Sequence, residues 1–230
     1  AMCLMDFFSK RKNKKTIKFI FIPETIGAIN YIHNENDSLK KYLDGGYILS
    51  CIGDERMYSC IFSKYKNSMS DKALIHAYKK MKIKYKEYSF LERGSDERQF
   101  NSPGIDLPVT AVFRSKFGTY KEYHTSLDNF NLVTIKGIKE SFELLKKTII
   151  NLDNFIIPKA VNKCEPFMSK YNLYDTLSTK KKNFRTENLM NFLQYCDGKN
   201  DLKQISKLIG TSILNTEKIY KILLKNKLIY

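Results

Sequence analysis

Ionisable residues crowd into one stretch of this chain, Arg93 to Asp128, around a single short apolar run, Pro108 to Phe113. A surface linker has no use for Asp96, Glu97, Arg98, Arg114, Glu122, His124 and Asp128 around a buried strand, whereas catalytic groups collect on loops at strand ends. His124, with Asp128 close behind it, is the strongest candidate for a metal ligand. A lone histidine also fits a structural or exposed role. Glu24 follows the apolar run Ile17 to Ile22, where α/β folds place catalytic groups. A carboxylate there can take a proton from water and return it to a leaving amine. It reads equally as an acid favouring the dipole of the helix it precedes. Asp54, after Gly53 at another strand end, reads as a third ligand or a site acid. Asp96 and Arg98 can order the site. With Arg114, whose planar fork suits a substrate carboxylate, they form the expected substrate-binding set. Each of the three reads equally as half of a structural ion pair. His33 and His76 lie on helices without an acidic partner pattern and read as surface residues.

The elements that must position these groups follow from periodicity. Residues 1–12 read as a helix. Ile17 to Ile22 (IKFIFI) is nearly all apolar, the pattern of a strand buried on both faces. Helices are expected over 25–33 and 37–43, a buried strand over 47–52 after Gly45-Gly46, and a third strand over 57–63. Ser70-Asp71 should cap a helix to Lys82 with Ala73, Leu74, Ala77 and Met81 on one side. A strand follows over 85–90, then the strand 108–113. A long helix is expected over 134–152 with Ile138, Phe142, Leu145 and Ile149 facing the core. Strands alternating with helices predict an α/β sheet covered on both faces. Residues 156–183 read as a linker that holds the run Lys180-Lys181-Lys182. Beyond it, helices over 187–196, 201–209 and 213–225 with a closing strand at 228–230 give a small winged helix-turn-helix domain. The expected organisation is therefore an α/β domain over 1–155, a linker over 156–183 and a winged-helix-like domain over 184–230.

Several of these segments carry a family resemblance. Gly94-Ser95-Asp96, Gln99-Phe100, Pro103 to Pro108, Tyr123-His124-Thr125 and Asp128 resemble, in order, the C-terminal half of zinc aminopeptidases of the leucyl-aminopeptidase and glutamate-carboxypeptidase superfamily. Phe21 to Gly27 (FIPETIG) is similar to the strand that ends in their Glu-Glu pair. The closer resemblance is to a bacterial family of aminopeptidase-like proteins, often encoded among surface-polysaccharide genes, which matches FIPETIG, ERGSDERQ and EYHTS and carries a winged-helix-like module at its end. The resemblance covers the whole chain. It implies a three-layer aminopeptidase-like fold, present as its C-terminal part, with Glu24 as general base, His124 and Asp54 as metal ligands, and zinc as cofactor. The family aspartate aligned here with Asp54 aligns alternatively with Cys51. The departures matter too. Thr25 stands where a second glutamate would bind metal, and Glu97 stands where the family has histidine. The His-containing strand and bridging-acid loop have no counterpart, so the implied zinc site is incomplete.

Composition bounds the rest. With 43% hydrophobic and 13% aromatic residues, the chain can build a core and is not disordered. No apolar run reaches the ~20 residues that span a bilayer. Ala1 to Phe8 contains Asp6 and precedes SKRKNKK, which does not read as a signal peptide. Five cysteines without a CxxC pair fit a reducing, cytoplasmic location. The net charge of +16 comes mostly from lysine spread along the chain, with only six arginines. That argues against a nucleic-acid partner, since readers cluster arginine on one face.

Three functions remain open at this level. The first is a zinc-dependent aminopeptidase-like hydrolase acting on a peptide or an amide-containing small substrate, incomplete or inactive in this form. The second is a winged-helix nucleic-acid-binding regulator. The third is a non-catalytic scaffold. An apolar face left uncovered would favour a homo-oligomer; no membrane partner is expected.

Overall fold

The computed structural model describes residues 1–174 and 184–230. They form two compact units, Ala1–Asn154 and Phe155–Tyr230. The run Lys180-Lys181-Lys182 lies outside the described residues.

The first unit is built on a four-stranded mixed sheet. Its strands are β1 (Gly46–Leu49), β2 (Tyr58–Ile61), β3 (Tyr85–Tyr88) and β4 (Val109–Phe113), in the order β1-β4-β2-β3. β4 runs parallel to β1 and antiparallel to β2, and β3 is parallel to β2. All five residues of β4 are buried, as its central place and β-branched sequence require. The pleat sends Val112 and Cys60 into one core with Leu4, Phe8, Leu74, Tyr78, Leu144 and Leu145. These come from helices α1 (Met2–Ser9), α3 (Met69–Lys80) and α5 (Ile135–Asn154). The opposite face takes Val109, Ala111, Phe113 and Ile61. There Val109 packs with Ala28 and Ile32 of α2 (Ile26–Tyr42) and Phe100 of the one-turn α4 (Glu97–Phe100), while Ile61, Ala111 and Phe113 pack with Tyr88. Helices on both faces of the sheet make the three layers.

Buried polar groups fix where the loops leave the sheet. Asp71 closes a capping box with Ser68 at the start of α3. It also accepts from Ser63 N and from Thr110 Oγ1 of β4 at 2.6 Å. Gly137 lets α5 press against the β1–β2 loop: a Cβ there would come within 2.0 Å of Gly53 O.

Several expectations are corrected. Ile17 to Ile22 joins no ladder of the described sheet and is not buried on both faces. Ile17, Phe19 and Ile22 pack against cores, whereas Phe21 is 64% exposed. An apolar run becomes a strand only where a neighbour receives its N–H and C=O groups. The two helices expected over 25–43 are one, because Asn34 to Asn36 is no breaker and the Asn34 amide bonds Asn30 O. On α5, Leu145 is buried and Phe142 and Ile149 pack against the same core as expected, joined by Leu144, whereas Ile138 is 44% exposed.

In the second unit, α6 (Phe184–Gln194), α7 (Leu202–Leu208) and α8 (Ile213–Lys225) enclose Leu189, Phe192, Ile205 and Leu223. Asp201 with Gln204 caps α7, and Ser212 caps α8. The segment expected as linker departs from that reading. Lys159 and Ala160 bridge antiparallel to Asp197 and Ile229, and Met168 is buried in this core. Residues 175–183 of that segment lie outside the described residues.

Candidate functional site

Pro23-Glu24-Thr25 carries the chain from the extended segment into α2. Thr25 has φ 63° and ψ −69°, and Ile26 N donates to Glu24 O at 2.8 Å. This is a γ-turn of the rare positive-φ hand, on a β-branched residue that seldom adopts it. Strain of this kind costs on the order of 1–3 kcal/mol and persists only where the surroundings over-determine it. The loop before α4 supplies the restraint. Thr25 N donates to Asp96 Oδ1 at 2.8 Å, and Arg98 Nη2 donates to Thr25 Oγ1 at 2.8 Å. Ser95 Oγ donates to Glu24 Oε1 at 2.7 Å. Glu97 shapes this loop from within: it is 1% exposed and its Oε1 accepts from Gly94 N and Ser95 N.

Two segments distant in sequence therefore meet in one bonded set of Glu24, Thr25, Ser95, Asp96 and Arg98. Glu24 is exposed, while Ser95 and Asp96 are buried. Burial, more than any other influence, pushes the Asp96 carboxyl up from its ordinary range. The Thr25 N–H pulls it down, Glu24 raises it further, and Arg98 opposes that. The outcome is an exposed carboxylate held by a hydroxyl, beside a buried carboxyl that retains its proton more readily. Such a pair can move a proton to and from a bound reactant.

The other predicted residues are placed differently. Both oxygens of buried Asp54 are bonded: Oδ2 accepts from Ser115 N at 2.8 Å, and Oδ1 from Ser115 Oγ at 2.9 Å and Arg56 N at 2.8 Å. Arg114 is 2% exposed, with its guanidinium 3.8 Å from the Tyr58 ring centroid and Nη1 on Glu140 at 3.0 Å. Its fork is engaged by the protein. His124, at φ 57°, is exposed and stacks on Tyr123 with ring centroids 3.9 Å apart. Burial raises the Tyr123 hydroxyl most, and Cys51 and Glu24 raise it further.

Sequence reasoning passed over Ser95 and Tyr120, named Cys51 only as an alternative alignment of the family aspartate, and noted Thr25 only as a missing ligand. Cys51 follows β1 at φ 46°, and its Sγ accepts from Tyr120 Oη at 3.3 Å. The signal for Ser95 was present, since a hydroxyl beside Asp96 in a Gly-led turn is a ready hydrogen-bond donor. Nothing local marks Thr25.

Among the described residues no three His, Cys, Asp or Glu side chains converge as a metal-holding group. Of the two donors expected for zinc, Asp54 is saturated by Ser115 and Arg56, which leaves His124, exposed and stacked on Tyr123.

The family described as a domain of unknown function, DUF4910, matches residues 1–155, and a winged helix-turn-helix family matches residues 156–230. A protein of Clostridium acetobutylicum whose description joins polysaccharide biosynthesis to an aminopeptidase-like domain is 34% identical over 204 residues, covering 88% of this chain and 46% of its own length. The crystal structure of a candidate peptidase from Clostridium acetobutylicum superimposes with a TM-score of 0.65 at 29% identity, covering 100% of this chain and 52% of that one. The chain thus spans about half the length of these relatives. Its fold is the aminopeptidase-like α/β arrangement followed by a winged helix, as the sequence led us to expect. A zinc aminopeptidase from Bacillus subtilis is similar at a TM-score of 0.46 and 13% identity, too slight a likeness to transfer its metal. No helix among the described residues is long and apolar enough to cross a membrane.

Proposed function

The chain belongs to the DUF4910 family, and on that footing we propose that residues 1–154 carry the proton-transfer half of an amide-hydrolysing, aminopeptidase-like site. The observation behind this reading is the 2.7 Å bond from Ser95 Oγ to an exposed Glu24, on a strained turn pinned by Asp96 and Arg98. Glu24 acts as general base toward water and then as acid toward the leaving amine. Ser95 holds the carboxylate in one orientation, and Asp96 and Arg98 hold the turn beneath it. Substrates of this class are peptides or small amides. The relative named for polysaccharide biosynthesis makes an N-acylated sugar a reasonable member of the panel. If zinc takes part, this chain offers His124, and the remaining donors come from outside the described residues. Nucleic acid has no part in this reading, because the exposed polar residues of α8, Asn215, Glu217, Lys218, Lys221 and Lys225, include no arginine to read base edges.

The test is Glu24→Gln in the longest form of the protein that hydrolyses any aminoacyl 4-nitroanilide, N-acyl amino acid or N-acyl sugar. Turnover should fall while the thermal midpoint stays put, since Gln keeps the oxygen that accepts from Ser95. Undiminished turnover removes Glu24 from the mechanism.

A further inference from the structure

Five arginines lie in residues 1–154, and three of them are matched to carboxylates. Arg11 lies 3.1 Å from Asp153, Arg56 lies 2.8 Å from Glu122, and Arg114 lies 3.0 Å from Glu140. Arg93 is exposed over the Phe90 ring. Arg98 is the exception among the half-buried heads. Its polar contact is to a neutral hydroxyl, Thr25 Oγ1, and its Nε is shielded from solvent without a partner. No carboxylate of the described residues lies within ion-pair distance of it. The nearby acids are committed elsewhere: Asp96 accepts from Thr25 N, Glu24 accepts from Ser95 Oγ, and Glu97 accepts from Gly94 N and Ser95 N. A guanidinium is always charged, and its planar fork suits a carboxylate far better than one hydroxyl. The protein has left this one without its natural partner, beside the residue read as the base.

Resting on the reading of Glu24, we propose that Arg98 binds a carboxylate of the substrate, so that the site takes amides that also bear an acid group. The pair Glu24 and Asp96 would by itself repel an anion. Arg98 supplies the opposing charge beside them. A substrate carboxylate on Arg98 would be fixed next to Glu24 through Thr25, which links the two side chains. Arg98 is thus a specificity residue, and it also positions the turn that carries the base.

The experiment compares N-acetyl-L-alanine with N-acetyl-L-alaninamide as probes, titrated into the 230-residue chain by NMR. The two differ in the carboxylate alone. The wild type should bind the acid about tenfold more tightly, the scale of one charge-assisted hydrogen bond. Arg98→Met should bring the two affinities together, and Arg98→Lys should restore part of the preference. Arg93→Met should leave the preference intact, which separates Arg98 from the general basic surface. Glu24→Gln should retain it as well, so loss of the base assignment in the turnover test and loss of this proposal are distinct results. If Arg98→Met does not fold, the wild-type Arg98 Nε–H signal decides. It should shift with the acid and stay still with the amide. A wild type that binds both probes alike, a preference that survives Arg98→Met, an equal loss in Arg93→Met or a motionless Arg98 signal overturns the proposal.

Discussion

Two carboxylate clusters in residues 1–154 are built from the same side-chain types and end in opposite chemical states. Around Asp54 both oxygens are bonded and both guanidinium groups are paired with acids. Asp54 takes three hydrogen bonds, the Arg56 fork grips both oxygens of Glu122, and Arg114 pairs with Glu140. Around Glu24 the pairing is incomplete. The base carries one hydroxyl contact, Asp96 is pushed up by burial, Arg98 has no carboxylate, and Thr25 is strained. Saturated charges stiffen a loop, and unsatisfied ones are free to act on something else. The difference separates a cluster that holds the fold from one suited to chemistry.

The sharpest way to break the comparison is a crossed pair of substitutions. Glu24→Gln should lower amide turnover by roughly 10²–10⁴-fold, the usual worth of a positioned general base, with little change in stability. Asp54→Ala should do the reverse. It strands the buried N–H of Ser115 together with that of Arg56, and should cost about 3 kcal/mol of stability, read as a lower urea midpoint. If Asp54→Ala retains full stability, or Glu24→Gln unfolds the chain, the two clusters have been assigned the wrong way round.

A smaller effect isolates the strain beneath Glu24. Thr25→Ala and Thr25→Gly both delete the hydroxyl that Arg98 bonds, so they differ in backbone preference alone. Glycine accepts φ 63° without a Cβ penalty, and the glycine variant should be about 1 kcal/mol the more stable. A more stable alanine variant would mean that the turn is relaxed.

These contrasts were only partly visible in the sequence. The Asp96–Arg98 loop and the strand 108–113 could be read because their signals are contiguous: turn residues beside an apolar run. The α3 helix and the three helices near the end were marked by their caps and stripes. The segment 17–22 was misread because apolar composition cannot tell a strand with two neighbours from an extended stretch with none. Asp54 was read as available, and Arg114 was left between a substrate clamp and a structural ion pair, because nothing in their own neighbourhood names Ser115 or Glu140. Lys159 and Ala160 looked like linker because their partners, Asp197 and Ile229, are long-range. The γ-turn at Thr25 leaves no trace, since its restraint arrives from Asp96 and Arg98. Ionisable residues can be located from sequence, but their partners depend on packing.

The smallest predicted effect follows from the opposite pKa displacements of the two clusters. Arg56 holds the Glu122 carboxyl down, from 4.5 to about 2, chiefly through its hydrogen bonds. A depressed folded value stabilises the fold above the unfolded value, and that stability is lost as pH falls from 4.5 toward about 2. Asp96 works with the other sign. Its folded value lies above 3.8, so the folded chain binds its proton first, and stability falls as pH rises from 3.8 through that higher value. Urea midpoints measured from pH 2 to pH 7 should therefore show a steep acid limb and a shallow decline above it. Glu122→Gln should flatten the acid limb alone. Asp96→Asn, which keeps an oxygen for Thr25 N, should flatten the shallow decline alone. If either substitution alters both limbs, the two clusters titrate as one coupled network, and the division between a holding cluster and a working cluster fails.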